Sequence, residues 1–257
     1  MTAEARPAST VVVLREGASG PEILMLKRSG RAGFFPHAWV FPGGRVDDAD
    51  SLVQQCGSGD GLEAADGHFV VAAIRECFEE AGVWMGRGQP SSSLRAALND
   101  RSATLMDAPE LVADLDRMAF WSWWITPVAE PKRYDTRFFV TLLDAEQSEL
   151  ARHDDVETVS TLWITAKEAL RRSEEGDFFL APPTFRTLEE MSEYPTGEAV
   201  MAAARARKVQ PVMPRLDVSD EGVCIVLPGD STYPSDSPVS GPTRIEFKQG
   251  RWWSHSA

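Results

Sequence analysis

Histidine and cysteine are scarce in this chain, and its basic residues are outnumbered. Four His occur in 257 residues. His68, His153 and His255 fall in expected loops or at the tail, at no spacing that suggests imidazole catalysis. Only His37 stands near a Gly-Gly turn. The three Cys, at 56, 77 and 224, cannot all pair and show no zinc-ligand spacing, so reduced thiols are expected. Lys and Arg number 26 against 39 Asp and Glu, a net charge of −13. That balance argues against a nucleic-acid partner, which would want a basic stripe. It also means that an anionic substrate must be met locally, by a metal or by selected Arg and Lys. No run of about eighteen apolar residues is present, so no membrane-spanning helix is expected. The N-terminus lacks a basic-then-apolar leader, and the C-terminal residues are not of the Ser-Lys-Leu type. A cytoplasmic location follows as the expectation. What is present is ordinary for a globular chain: 43% hydrophobic and 25% charged residues, in a length that can bury a sizeable core.

The chemistry is concentrated between Phe69 and Gly86. Val70, Ala73, Ile74, Cys77, Phe78 and Ala81 recur at the three- and four-residue spacing of an apolar helix stripe. Gly82 supplies a stop. Glu76 and Glu80 are four apart and Glu79 is three from Glu76, so three carboxylates share one patch with Arg75. Like charges at these spacings repel. One reading is a solvated acidic face. The other is a site for a divalent, oxygen-seeking cation such as Mg²⁺, which takes carboxylates together with waters and substrate phosphates.

Arg75-Glu76-Cys77-Phe78-Glu79-Glu80-Ala81-Gly82-Val83 resembles the signature of the Nudix hydrolases, and Phe41-Pro42-Gly43-Gly44 matches the turn that opens it. The spacing departs from the family. Thirty residues separate Gly44 from Arg75, where the family pattern has thirteen with a Glu among them. The position eight before Arg75, where that Glu should stand, is Gly67; Asp66 and Glu63 are alternatives. The stretch 46–67, rich in Gly, Asp and Ser, reads as an inserted surface loop. An interrupted signature of this kind resembles the coenzyme A diphosphatase-like branch of the superfamily, typified by nucleoside diphosphate-linked moiety X motif 19. Two further stretches resemble that branch. Met25-Leu26-Lys27-Arg28-Ser29 matches part of the element preceding the Gly-Gly turn, although its internal Arg and Gly fall here on Gly33 and His37. Trp121-Ser-Trp-Trp-Ile-Thr-Pro127 and Pro131-Lys-Arg-Tyr-Asp-Thr-Arg-Phe-Phe139 form the longer match.

The resemblance implies a site. Mg²⁺ or Mn²⁺ would be held by Glu76, Glu79, Glu80 and the backbone carbonyl of Gly44. Arg75 would orient the glutamates by ion pairing. A further carboxylate on a loop across the cleft would bind a second metal or act as general base: Glu157, six before Trp163, with Asp154 and Asp155 as alternatives and a helix glutamate as the competitor. Arg28, Arg133 and Arg137 are candidate pyrophosphate contacts because a guanidinium fork suits phosphate oxygens. The bland readings are a surface charge ending a strand for Arg28, and pairing with Asp135 or another acid for Arg133 and Arg137.

The rest of the chain supplies the frame. Ser9 to Leu14 and Glu22 to Lys27 predict a hairpin, followed by a short strand at Trp39-Val40-Phe41. Ser93 to Leu98 and Ala108 to Arg117 predict helices, forming a helical insertion over 88–118. Strands are expected at Phe120 to Pro127, Phe138 to Leu143 and Thr158 to Ile164. The Trp residues in the first of them read individually as core. A helix from Thr165 should open with a capping box to Glu168. The paired prolines of Leu180-Ala-Pro-Pro-Thr-Phe185 break that pattern. Helices follow at Phe185 to Tyr194 and Glu198 to Lys208. Short strands from Val212, Val223 and Thr243 form a C-terminal β extension ending at Trp252-Trp253.

The expected fold is therefore α/β, a Nudix α/β/α sandwich over 8–195 with a mixed sheet, plus a helix and β extension over 196–257. The expected activity is metal-dependent cleavage of the pyrophosphate in coenzyme A or an acyl derivative. ADP-ribose or NADH is the alternative substrate, and a non-catalytic nucleotide sensor the alternative of another class. The partner is a small nucleotide, with a homodimer left open.

Overall fold

In the computed structural model, residues 3–31, 35–59, 62, 66–219 and 222–256 are described. Gly33 and Glu63 lie outside them.

The first strand, β1 (Arg6–Gly17), pairs with β2 (Gly20–Arg28), Gly17 opposite Gly20. Val11 to Leu14 are all buried. A continuous apolar run fits a strand covered on both faces rather than one. Val11 and Val13 join one core cluster and Val12 and Leu14 the other, so helices cover both sides. Two short strands follow, β3 (Trp39–Val40) on β2 and β4 (Gly43–Arg45) on β1.

The stretch 46–67 is more than a surface loop. It makes a 3-10 turn at Asp48–Leu52 and a strand β5 (Gln55–Cys56), and Asp50 and Val53 are buried. Helix α1 (Gly67–Ala81) then crosses β1 and β4, and its C-terminus is closed by Gly82 at φ 73°. A left-handed residue there favours Gly. After β6 (Gly86–Arg87) and α2 (Ser92–Asn99), the expected helix at Ala108 to Arg117 is replaced by β7 (Val112–Asp114) between 3-10 turns. Leu111, Ala113 and Leu115 are buried, the period-2 alternation of a strand. β7 lies between β5 and β6 in a three-stranded sheet. The two inserted segments thus fold together.

The main sheet is completed by β8 (Ala119–Ile125) and β9 (Tyr134–Leu142), then, after α3 (Ala145–Ser148), by β10 (Thr158–Thr165). β9 runs parallel to β1 while β8 and β10 pair antiparallel with β9 and β2. The mixed sheet is as expected, and Trp121 and Trp124 are core residues. Helices α4 (Ala166–Glu175), α5 (Pro182–Met191) and α6 (Gly197–Ala206) cover the face opposite α1. Thr165 Oγ1 accepts from the Glu168 backbone N–H at 3.3 Å, the expected N-cap, but the Glu168 carboxylate accepts from Arg171 instead of closing the capping box. Pro182 and Pro183 open α5, three residues before the expected start at Phe185, since Pro suits the first helical turn, where no N–H is needed.

β11 (Pro211–Val212) joins the main sheet beside β8. The chain ends in a four-stranded antiparallel sheet, β12 (Arg215–Ser219), β13 (Gly222–Val226), β14 (Arg244–Lys248) and β15 (Arg251–His255). Ile225, Leu227, Ile245 and Trp252 share a core cluster with Phe185 and Leu188 of α5, and Trp252 Nε1 donates to Leu180 O at 2.9 Å. One core therefore runs across residue 195. Among the described residues no helix is long and apolar enough to cross a membrane.

Candidate active site

Ser9 Oγ donates to Phe69 O at 2.6 Å, tying the first turn of α1 to β1. β4 lies on the same strand, Gly43 opposite Thr10 and Gly44 opposite Ser9. This brings the Gly-Gly turn under the glutamates. A Cβ on Gly44 would sit 2.6 Å from the Glu76 carboxylate, and one on Gly43 would sit 2.5 Å from Ser9 O. Glycine permits that approach. Glu80 Oε2 accepts from the Gly43 N–H at 3.0 Å.

Arg75 is buried between the acids. Its Nε and Nη2 donate to the two oxygens of Asp50 at 2.8 and 3.0 Å. Nη1 donates to Glu76 at 2.9 Å and Glu79 at 3.0 Å, and Nη2 also donates to Arg45 O at 2.8 Å. A guanidinium has five N–H groups, and all five are engaged within the protein, which leaves Arg75 to orient carboxylates. Burial alone would disfavour its charge, but the Asp50 hydrogen bonds and the charges of Glu76, Asp50 and Glu79 outweigh this and push its pKa up.

Asp50 is the acid that reading back from Arg75 misses. The family pattern puts its first Glu six after the glycine, and counting forward from Gly44 by six reaches Asp50. The insertion separates the two halves of the signature after this residue. Gly67 is the first residue of α1, and Asp66 pairs with Arg137.

Burial, opposed by Arg75 and reinforced by Glu79, pushes the Glu76 carboxyl up to about 7. Burial also raises Glu79, against the pull of Arg75. Burial and the Glu76 charge hold Glu80 well above the ordinary carboxylate range. Among the described residues no three His, Cys, Asp or Glu side chains form a finished metal cage, because Glu76 and Glu79 hold Arg75 and Glu80 holds the Gly43 N–H. The donors fit Mg²⁺ or Mn²⁺ nonetheless. They are all oxygen, they carry more negative charge than Arg75 can balance, and Mg²⁺ takes one or two carboxylates and leaves the rest to water and phosphate.

A cavity of about 950 Å³ opens over these groups. Arg28 and Glu157 also line it. Both are placed by β2 and β10: Thr158 pairs with Arg28, and the Ser29 N–H donates to Glu157 O at 2.9 Å. Asp154 builds this loop, accepting from the Thr158 N–H at 2.9 Å and the Glu157 N–H at 3.2 Å. Asp155 pairs with His153. Of the three acids proposed from sequence, Glu157 is the one that lines the cavity. Arg28 Nε is buried and has no hydrogen-bond partner among the described residues, and its charge acts on Glu80.

Arg133 and Arg137 do not line the cavity. Side chains alternate across a strand: Thr136 and Phe138 face the cavity, and Arg137 faces α1, paired with Asp66 and stacked on Phe69 and Trp123 at 3.8 and 4.6 Å. Arg133 donates to Thr126 O at 3.1 Å and Ala3 O at 2.7 Å. The second wall that sequence reading did not assign comes from the α2 insertion, including Asn99 and Arg101, and a third from the C-terminal sheet.

The raised carboxylates give the metal a measurable signature. Glu76 moves from an ordinary 4.5 to about 7 on folding. Its contribution to the stability of the metal-free protein is therefore full below pH 4.5 and is lost as pH rises through 7. A bound divalent cation removes that loss, because it requires the ionised form. The rise in Tm produced by Mn²⁺ over a chelator is expected to grow from pH 5.5 to pH 8. A rise that is constant or shrinks with pH would refute a carboxylate metal site here.

The family model for the NUDT19 Nudix domain matches residues 54–191, and that for the NUDIX domain matches residues 5–101. The chain is 28% identical over 293 residues to the acyl-coenzyme A diphosphatase NUDT19 of Gallus gallus, covering 87% of this chain and 76% of that protein. It is 29% identical over 237 residues to the putative nudix hydrolase 7 of Caenorhabditis elegans, covering 86% and 73%. The crystal structure of a NUDIX hydrolase from Alicyclobacillus acidocaldarius superimposes with a TM-score of 0.65 at 28% identity, covering 79% of this chain and 97% of that one.

Proposed function

Since the chain belongs to the NUDT19 Nudix domain family, we propose that it hydrolyses the pyrophosphate bond of coenzyme A or an acyl-coenzyme A. The products are adenosine 3′,5′-bisphosphate and 4′-phosphopantetheine or its acyl derivative. The observation that carries this reading is the confluence of Glu76, Glu79, Glu80, Glu157 and Arg28 around one cavity. A Mg²⁺ or Mn²⁺ ion held by Glu76, Glu79, Glu80 and the Gly44 carbonyl would neutralise phosphate charge and acidify water. Glu157, whose charge acts on Glu76 and Glu80, would accept the proton of the attacking water. Arg28, whose buried Nε–H has no hydrogen-bond partner among the described residues, would hold a phosphate oxygen. Arg75 positions the glutamates and does not touch substrate.

A hydrolysis panel with product identification tests the substrate, using Mg²⁺ or Mn²⁺ with coenzyme A, acetyl-coenzyme A, ADP-ribose, NADH and diadenosine polyphosphates. Adenosine 3′,5′-bisphosphate as the dominant product supports the reading. Preferred cleavage of ADP-ribose or NADH keeps the chemistry and replaces the substrate. Binding without turnover under both metals returns the sensor. Within the panel, Arg28→Ala is expected to lower kcat/KM by roughly 10- to 100-fold, the range for losing a hydrogen bond to a charged group. Arg28→Lys should recover only part of it, because an ammonium cannot reproduce the fork. An unchanged kcat/KM in Arg28→Ala would remove Arg28 from the site.

A further inference from the structure

Alternation along the four C-terminal strands sorts their residues into two faces. Leu216 pairs with Ile225, Val218 with Val223, Val223 with Phe247 and Phe247 with Trp252, so these side chains share one face. Asp217, Cys224, Glu246 and Trp253 are in register on the other. Such a pattern marks a sheet with one face covered and one in water. The core covers only part of the apolar face. Ile225 and Trp252 are buried against α5, whereas Leu216, Val223 and Phe247 remain partly exposed. These three line the same cavity as Glu76, Glu80 and Glu157. An apolar wall is thus continuous with a site built for pyrophosphate.

We infer that this wall, with Leu216, Val223 and Phe247 at its centre, binds the aliphatic acyl chain of an acyl-coenzyme A and sets the preference for chain length. The inference rests on the coenzyme A reading above and adds to it a specificity site in the C-terminal extension. Charge decides the occupant. The carboxylate end of the cavity suits a cation-bound, phosphate-bearing group, and the sheet end offers the substrate only hydrocarbon and aromatic surface. A ligand spanning both must be anionic at one end and apolar at the other.

The test measures kcat and KM for free coenzyme A and for acetyl, butyryl, hexanoyl and octanoyl derivatives below their micelle concentrations, on wild-type protein, Val223→Phe and Leu216→Ser. Each buried methylene strengthens binding by up to roughly fourfold. In wild type, KM should fall at least tenfold from free coenzyme A to the octanoyl ester. In both variants that slope should flatten, lowering the octanoyl-to-free ratio of kcat/KM by at least fivefold. The same series in chelator, read as the shift in Tm of wild-type protein, should rise with chain length, and this reading depends on neither turnover nor a variant. Coenzyme A cleavage with a KM and a Tm shift independent of chain length would overturn the inference and leave the reading of the reaction intact. A slope undiminished in both folded variants would also overturn it. Failure to cleave or bind any coenzyme A derivative would remove the underlying reading, and the inference with it.

Discussion

Glu80→Gln is expected to abolish most turnover, by roughly a thousandfold in kcat, within the range for loss of a group that handles protons or charge in the reaction, while the protein stays folded. The two halves of this expectation have separate causes. Glu80 is buried, and burial with the Glu76 charge already favours its neutral form in the metal-free protein. Gln is neutral, similar in shape, and keeps a carbonyl oxygen to accept the Gly43 N–H. Its Tm without metal should therefore equal or exceed that of wild type at pH 8. The amide lacks the negative charge that a divalent cation needs, so the metal-dependent rise in Tm should shrink along with kcat. Glu157→Gln provides the contrast. Glu157 is exposed on a loop fixed by Asp154, so its loss should spare the metal-dependent rise in Tm and cut kcat by roughly a hundredfold. Near-normal kcat in Glu80→Gln would sink the assignment of the glutamate patch. A normal kcat in Glu157→Gln would pass the base to the helix.

The signature helix was legible because its information is local. The apolar stripe, Gly82 and the three glutamates lie within one run, and helix periodicity alone places the glutamates near one another. Asp50 was harder to read. Its partner Arg75 is 25 residues away, and the insertion between them makes counting from the arginine fail where counting from the glycine succeeds. The segment 108–117 reads as a helix for a related reason. Its Pro-Glu pair looks like a helix start, but β5 and β6, distant in sequence, supply strand partners for Val112 to Asp114. For Arg137 the sequence does carry the signal: it is one residue out of phase with Thr136 and Phe138, and strand alternation sends it to the other face. For the C-terminal sheet, alternation revealed an apolar face, but which surface that face meets depends on how α5 docks against it, and no local pattern encodes that.

Breaking the Arg75–Asp50 pair is expected to cause the largest loss of stability at the site, with a coupling that a double-mutant cycle can read. Its side chains are 8% and 1% exposed and joined by two hydrogen bonds. Removing one member of such a buried pair costs about 3–5 kcal/mol, because the other charge is left without its partner. Arg75→Met is the harsher case, since it leaves Asp50, Glu76 and Glu79 without their common cation. For a chain of this length the Tm should drop by roughly 10 °C. That loss should be larger at pH 8 than at pH 5.5, where Glu76 can take up a proton, its pKa lying near 7 even with Arg75 in place. Asp50→Ala should cost less, because Arg75 keeps Glu76 and Glu79. In Asp50→Ala/Arg75→Met the costs should fall short of their sum by about 1.5–3 kcal/mol, the coupling of residues within one network. Activity should not return with stability. Glu76 and Glu79 are held by Nη1 of Arg75, and Met provides no donor to fix them for a metal. Additive costs would show that the two side chains act independently. A double variant with wild-type kcat would show that the glutamates need no positioning by Arg75.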